Sequence, residues 1–186
     1  MLVEKELQEF LRTCEPWRVV IFSAGCAERM FQIFTGLQGS TAGRYSDVEF
    51  GISLLASLWD VEFNDAVLAA GALHRLEGFP EFQPRESPLL DPAAIYNFYA
   101  ALTLRYAAAS RLGNGVDAAI SCGHAVLTSV GQLDRNPPDG SSLYIQEGEL
   151  QNSIVNLTYE SEVIGSFRAR CQQLGRERFE LVRARR

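Results

Sequence analysis

Asp117, Ser121 and His124 follow one face of a predicted helix, with Thr128 one turn further on. Hydrolases combine a serine, a histidine and an aspartate for acyl transfer. Three groups on consecutive turns of one helix cannot place the histidine between a nucleophile and a carboxylate. No Gly-x-Ser-x-Gly elbow accompanies them. We therefore interpret this face as an ordinary polar helix surface and assign no catalytic residue.

Metal and cofactor chemistry has little support in the residue spacings. His74 and His124 are the only histidines, they lie far apart in the sequence, and no Cys-x-x-Cys pair exists. Asp60, Glu62 and Asp65 leave a carboxylate-only cation site open, although a solvated turn between two helices explains them more simply. Phosphate-binding glycine loops are absent. The sequence therefore predicts neither a metal nor a cofactor.

A tyrosine stripe is the first candidate partner-binding feature. Tyr96, Tyr99 and Tyr106 share one helical face with Thr103 and Ser110. Tyrosines at helical spacing usually form the rim of a core, with the ring buried and the hydroxyl in water. The same amphipathic rings also suit an interface. Both interpretations stay open, and the three tyrosines are kept as candidate partner-binding residues.

An acidic surface is the second candidate. The formal charge is −6, with arginines concentrated near the end of the chain and acids dominating the rest. The candidate acids are Glu147, Glu149, Glu160 and Glu162. Glu147 and Glu149 lie near the start of the last predicted helix, where the helix dipole favours them even without a partner. The functional hypothesis is that the candidate acids steer a basic protein. Nucleic-acid binders carry the opposite charge, so we expect a protein partner with a basic surface and no nucleic acid.

Glu28 and Arg29 are adjacent charges at the border of an apolar helix. A carboxylate and a guanidinium at this position predict a partly buried ion pair that fixes the register of the helix, because charges beside a core are normally paired. The alternative is that Glu28 is a catalytic carboxylate. We favour the structural pair.

Capping residues and prolines divide the chain into helices. Ser46 and Glu49 form a capping box, Asn64 and Asp91 are capping residues, and Gly78 is predicted to be a left-handed helix end. The helices predicted from these signals cover residues 46–59, 64–77, 92–112 and 116–133. No segment alternates with a period of two residues. The chain therefore reads as all-α.

Two further helices complete the predicted architecture. Apolar residues cover most sides of 17–37, so this segment is predicted to be the central helix of a bundle. Apolar spacings of three and four continue from Leu150 to Leu181 and predict one long C-terminal helix, with Gly165 as the point at which it can bend. The predicted fold is a single all-helical domain over residues 1–186, a bundle of about six or seven helices.

Trp17, Val20, Phe22 and Ala24, followed by Glu28-Arg29-Met30, resemble the start of the YjaG-like family, a group of uncharacterised bacterial all-helical proteins. Leu54, Trp59, the helix over 118–129 and the acidic start and Arg-containing end of the last helix are also similar, so that the resemblance extends over nearly the whole chain. It departs from the family in its Pro-rich 80–92 loop and its Arg-rich terminus. The resemblance implies a helical bundle and a bacterial cytoplasmic setting, and it implies no reaction.

The expected setting agrees with the composition. Hydrophobic residues make up 47% and charged residues 22% of the chain, as in an ordinary globular protein. The longest stretch without a charged side chain, 118–133, is shorter than a membrane span requires. An acidic N-terminal sequence and four widely spaced cysteines predict reduced thiols in the cytoplasm.

Two classes of function follow. The first is a non-enzymatic protein-binding module, of the kind that serves as an immunity protein or antitoxin by masking a basic partner. The alternative is a small-molecule-binding protein or an enzyme with a pocket between bundle helices. A homodimer is compatible with either class.

Overall fold

A computed structural model describes residues 2–38, 41, 43–62, 66–84, 91–113, 115–134 and 142–184. Within these ranges the chain forms eight α-helices and two short 3-10 helices, and no strand is present. The helices are Lys5–Thr13 (α1), Pro16–Gln38 (α2), Tyr45–Trp59 (α3), Ala66–Glu77 (α4), Pro92–Ala109 (α5), Gly115–Leu133 (α6), Leu143–Asn152 (α7) and Ser161–Arg183 (α8). The 3-10 helices are Pro80–Phe82 and Ser153–Asn156. The all-α prediction is confirmed.

Helix α2 is the centre of the bundle, as its wide apolar arc predicts. It packs against α3, α5, α6 and α8, and it is buried almost continuously from Val19 to Phe34. Two of its glycines, Gly25 and Gly36, lie against side chains of α8. A Cβ atom added at Gly36 would lie 2.5 Å from Cδ2 of Phe179. The absence of a side chain there lets α8 approach α2 closely.

Helix α5 begins where the sequence predicts. The carboxylate of Asp91 accepts hydrogen bonds from the backbone N–H groups of Ala93 and Ala94, and Pro92 occupies the first helical position. Alanines of α5 are fully buried where it packs between α2, α4 and α6. The helix ends at Ala109, slightly earlier than predicted, and the hydroxyl of Ser110 donates to the carbonyl of Ala107.

The prediction of one unbroken C-terminal helix is wrong. Helix α7 ends at Asn152, the 3-10 helix Ser153–Asn156 follows, and α8 begins at Ser161 after an extended turn. The guanidinium of Arg18 donates to the carbonyl oxygens of Ile154 and Val155. These carbonyl groups therefore accept hydrogen bonds from a side chain outside the helix. The helix can end here without leaving them unpaired. This division and the additional helix α1 explain why the count exceeds six or seven.

Two predicted helix ends also differ. Helix α3 begins one residue before Ser46, and its N-cap residue Arg44 makes no side-chain cap bond, so the capping box does not form. The Arg44 guanidinium instead binds Glu81 and Asp47. Among the described residues a positive φ occurs at Gly43 and not at Gly78; the N–H of Gly78 donates to the carbonyl of Arg75 in a tightened last turn. Asn64 lies outside the described residues.

Candidate functional site

A triad of buried charges connects α2, α7 and α8. The Glu147 carboxylate accepts hydrogen bonds from Arg29 (Nε at 3.0 Å and one terminal nitrogen at 2.6 Å) and from a terminal nitrogen of Arg178 at 2.7 Å. The amide of Gln151 donates to the same carboxylate at 2.8 Å. The exposed fraction is 0% for Glu147, 1% for Arg29 and 2% for Arg178. The three helices are therefore joined through one desolvated carboxylate.

The electrostatics of this triad keep it ionised. Burial acts to raise the pKa of Glu147, but Arg29 and Arg178 lower it to about 2. Burial acts to lower the pKa of Arg29, and Glu147 outweighs it, so the pKa of this guanidinium is well above its ordinary value. Arg29 also donates to the sulfur of Cys171 at 3.1 Å, while burial raises the pKa of that thiol to about 11. Cys171 is consequently a neutral thiol at physiological pH and not a thiolate nucleophile.

Glu28 organises a second buried cluster one residue away. Its carboxylate accepts hydrogen bonds from the indole N–H of Trp59 at 2.8 Å and from Nε of Arg168 at 3.3 Å. The amides of Gln32 and Gln172 donate to its other oxygen. This cluster connects α2 to the end of α3 and to α8. Every oxygen of the carboxylate is therefore bound by a protein group.

The prediction that Glu28 and Arg29 form an ion pair with each other is wrong. Both residues are buried, but Glu28 binds Trp59 and Arg168, whereas Arg29 binds Glu147. Neighbouring side chains on a helix diverge by about 100° and so point toward different helices. Glu147 requires a second correction. We predicted it as an acid that faces a partner, and it is fully buried between two guanidinium groups.

The remaining acids fall at two places. Glu149, on α7, is exposed and borders a small cavity beside the N-terminal segment. Glu160 and Glu162 are exposed at the start of α8. Among the acids predicted to bind a partner, the structure therefore places Glu160 and Glu162 together and Glu149 elsewhere.

An acid-rimmed hollow lies where the end of α3 meets the start of α8. Its volume is about 360 Å³. We name it the α3–α8 hollow; its lining residues are Trp59, Asp60, Val61, Glu62, Tyr159, Ser161, Ile164, Gly165 and Arg168. Asp60 and Glu62 are exposed, and Glu160 and Glu162 flank the lining residue Ser161 in the sequence. The hollow thus combines carboxylates with aromatic and aliphatic surface.

Aromatic side chains fix the shape of the α3–α8 hollow. Tyr159 is 53% exposed, and its ring meets that of Trp17 edge to face at a centroid distance of 5.2 Å. Arg168 lies over the ring of Trp59 at 5.7 Å and is paired with Glu28. The positive charge of Arg168 is therefore offset within the protein, and the charge left at the rim is negative.

The tyrosine stripe of α5 belongs mainly to the core. Tyr96 is buried, while Tyr99 and Tyr106 are half-buried and pack against core side chains. Tyr96 therefore offers no surface to a partner. Partner binding by Tyr99 and Tyr106 stays a prediction.

The other groups considered for chemistry are dispersed. Asp117 is exposed and lies 4.0 Å from Arg12, and the hydroxyl of Thr128 donates to the carbonyl of His124 in its own helix. Partial burial lowers the pKa of His124. Within the described ranges no group of three His, Cys, Asp or Glu side chains is arranged to hold a metal ion; Asp65 lies outside them. All four cysteines are free thiols, and Cys14 is the one that is only partly buried.

Comparison of the chain with family models, curated proteins and solved structures finds no match. The resemblance to the YjaG-like family therefore stays a prediction from its residues. No helix in the described part of the chain is both long enough and apolar enough to cross a lipid bilayer.

Proposed function

We propose that this protein is a non-catalytic binding module that captures a protein partner with a basic surface through the α3–α8 hollow. The observation that carries the proposal is the combination of exposed carboxylates with an exposed aromatic ring around one cavity. Asp60 and Glu62 lie on the α3 side, and Tyr159 lies on the α8 side. Carboxylates bind cationic side chains, and the face of an aromatic ring attracts the same cations.

The distribution of charge supports this choice of surface. The acids of the two buried clusters, Glu28 and Glu147, are bound by tryptophan, arginine and glutamine side chains inside the protein. They are consequently occupied in holding helices together. Exposed acids such as Glu62, Glu160 and Glu162 can instead meet a partner in water, where opposite charge accelerates association.

An inhibitor of the immunity or antitoxin type is the form of this function that we favour. Such a protein masks a basic toxin by covering its cationic surface. The hollow supplies apolar contact at the centre and charge at the rim, which is the usual arrangement of a protein interface. The free thiols support a cytoplasmic setting, and the resemblance to the YjaG-like family supports a bacterial one.

The test compares two triple variants that change the formal charge equally. Glu62, Glu160 and Glu162 are replaced by Lys in the hollow variant. Glu6, Glu9 and Glu149, which are exposed elsewhere, are replaced by Lys in the control variant. A short poly-arginine peptide is titrated into each protein at low salt by calorimetry. We expect the hollow variant to bind the peptide at least about tenfold more weakly than the control variant does.

Equal weakening in both variants would mean that the peptide responds to overall charge and not to the α3–α8 hollow, and the proposal would fail. Sedimentation of the unmodified protein completes the test. If two copies associate through the acidic hollow of one and the arginine-rich α8 end of the other, the hollow variant dissociates them, and the basic partner is then a second copy.

A further inference from the structure

Two guanidinium groups beside the α3–α8 hollow are held in the same way. Arg18 lies over the ring of Trp17 at 4.7 Å and pairs with the carboxylate of Glu15 at 2.9 Å. Arg168 lies over the ring of Trp59 at 5.7 Å and is likewise paired with a carboxylate. At both places the protein combines an aromatic ring, a guanidinium and a carboxylate.

Tyr159 and Glu62 place a ring and a carboxylate around the hollow itself. Tyr159 lines the hollow and is 53% exposed, and Glu62 lines it and is exposed as well. Among the described residues no arginine lies over the Tyr159 ring, since Arg168, which also lines the hollow, lies over Trp59. The hollow thus presents two members of the set, and a partner can supply the third.

The ring of Tyr159 is positioned by the start of α2. Arg18 donates to the carbonyl oxygens of Ile154 and Val155, and these bonds anchor the turn that leads to Tyr159. Trp17 then meets the Tyr159 ring edge to face at a centroid distance of 5.2 Å. A ring that is already held in place loses little conformational freedom when a partner binds it.

Glu62 is better suited than Asp60 to supply the carboxylate. Asp60 lies close to the guanidinium of Arg111, which donates to the backbone carbonyl of Asp60 at 2.7 Å, so part of its charge is offset within the protein. The backbone N–H of Glu62 donates to the Asp60 carboxylate at 3.2 Å. That bond orders the backbone of Glu62, while the residue stays exposed.

We propose that the hollow selects the guanidinium of an arginine over the ammonium of a lysine, and that this guanidinium stacks on Tyr159 and binds Glu62. This inference rests on the proposed function and names the side chain that the hollow captures. A guanidinium is planar, stacks on aromatic rings and pairs with both oxygens of a carboxylate, whereas an ammonium is a compact and strongly hydrated charge. A ring and a carboxylate around one cavity therefore favour arginine.

The test compares hexa-arginine with hexa-lysine, which have equal length and charge, by calorimetry at low salt. We expect the unmodified protein to bind hexa-arginine at least about threefold more tightly. Tyr159→Leu should abolish this preference, while Tyr159→Phe, which keeps the ring, should preserve it. Tyr45→Leu is the matched control, because Tyr45 is 70% exposed at the opposite end of α3, and it should leave the preference unchanged.

Two further measurements test the ring and the carboxylate separately. Side-chain proton signals of the arginine peptide should move upfield on binding, because protons over an aromatic ring are shielded, and this readout needs no variant. Glu62→Gln should weaken the binding of hexa-arginine at least about threefold. Glu149→Gln, which changes an exposed acid on α7, should not weaken it.

Equal binding of the two peptides by the unmodified protein would overturn the selection of arginine. The capture of a basic partner would still stand if the hollow variant bound both peptides more weakly. Unshifted arginine signals, or a folded Tyr159→Leu protein that keeps the preference, would also overturn the selection. If neither peptide binds the unmodified protein, the proposed function fails and this inference fails with it.

Discussion

The negative charge of Glu147 is offset by other side chains of the protein. The residue has no exposed surface and lies between the guanidinium groups of Arg29 and Arg178. Taking a carboxylate and two guanidinium groups out of water is costly, and their mutual attraction repays that cost only when every partner is present. The residue therefore stabilises the packing of α7 and α8 on α2 only as part of the complete set.

Glu147→Gln should lower the free energy of unfolding by about 3–5 kcal/mol, because it leaves two buried guanidinium groups without an anion. Urea unfolding followed by circular dichroism measures the change. Glu149→Gln, two residues along the same helix and exposed, is the control and should change the value by less than about 0.5 kcal/mol. Similar effects of the two substitutions would show that the triad does not hold the helices together.

The ionisation of Glu147 should also make the stability of the protein depend on pH. The pKa of Glu147 is about 2 in the folded protein, against an ordinary value of 4.5. Between these values the unfolded chain binds a proton that the folded protein does not, so the stabilisation is complete above pH 4.5 and is lost as the pH falls toward 2. Urea unfolding at several acidic pH values should show a shallower loss for Glu147→Gln than for the unmodified protein. Parallel curves would contradict the assignment.

At this scale the sequence indicates which residues are unusual but not what they contact. The charged pair at Glu28 and Arg29 is visible because charges interrupt an apolar helix. The partner of Arg29 lies 118 positions away, and no spacing rule reaches that far. Glu147 was predicted to be a surface acid together with Glu149, Glu160 and Glu162, because local pattern carries no information on which residues of α7 lie against α2 and α8.

At the scale of elements, glycines decide how closely α8 lies against α2. A Cβ atom added at Gly175 would lie 2.6 Å from the carbonyl oxygen of Arg29 and 2.7 Å from Cβ of Gln32. Backbone cannot move aside as the end of a flexible side chain can. The close approach is accompanied by the contact of Arg29 with Cys171, which lies one turn before Gly175 on α8.

Gly175→Ala should therefore destabilise the protein by about 1–3 kcal/mol, as overpacking does. Gly165→Ala in the same helix is the matched control. A Cβ atom there meets nothing within 4 Å, so the substitution should stabilise the protein by up to about 1 kcal/mol through helix propensity. Thermal and urea unfolding of both variants gives the comparison. If both substitutions stabilise the fold, α8 does not pack as closely as described.

The helices were predictable to the extent that local signals determine them. The Asp91-Pro92 start of α5 and the apolar arc of α2 were found because capping and periodicity act within a few residues. The break between α7 and α8 was missed because the apolar spacing continues through it, while Arg18, far away in sequence, binds the carbonyl groups that end the helix. Gly78 was predicted to be left-handed from its type alone, and the tight turn does not require it.

On the scale of the whole molecule, the buried and the exposed carboxylates have different surroundings. Buried carboxylates are bound by arginine, tryptophan and glutamine side chains, whereas Asp60 and Glu62 are exposed acids that line the α3–α8 hollow. The sequence indicated an acidic surface but not its location, because Glu62 and Tyr159 line one cavity only through the tertiary packing of α3 and α8. Trp59 and Tyr159 were not predicted as site residues, since neither carries a signal that distinguishes a cavity wall from a core.

Two-dimensional NMR of the labelled protein during titration with a short poly-arginine peptide tests the central claim most directly, because it locates the contact surface residue by residue. We predict the largest shifts at the indole N–H of Trp59 and at the backbone N–H groups of Glu62, Tyr159 and Glu162. These shifts should disappear as salt is raised, since the attraction is electrostatic. Largest shifts on α7 around Glu149, or shifts of equal size at every exposed acid, would contradict the account.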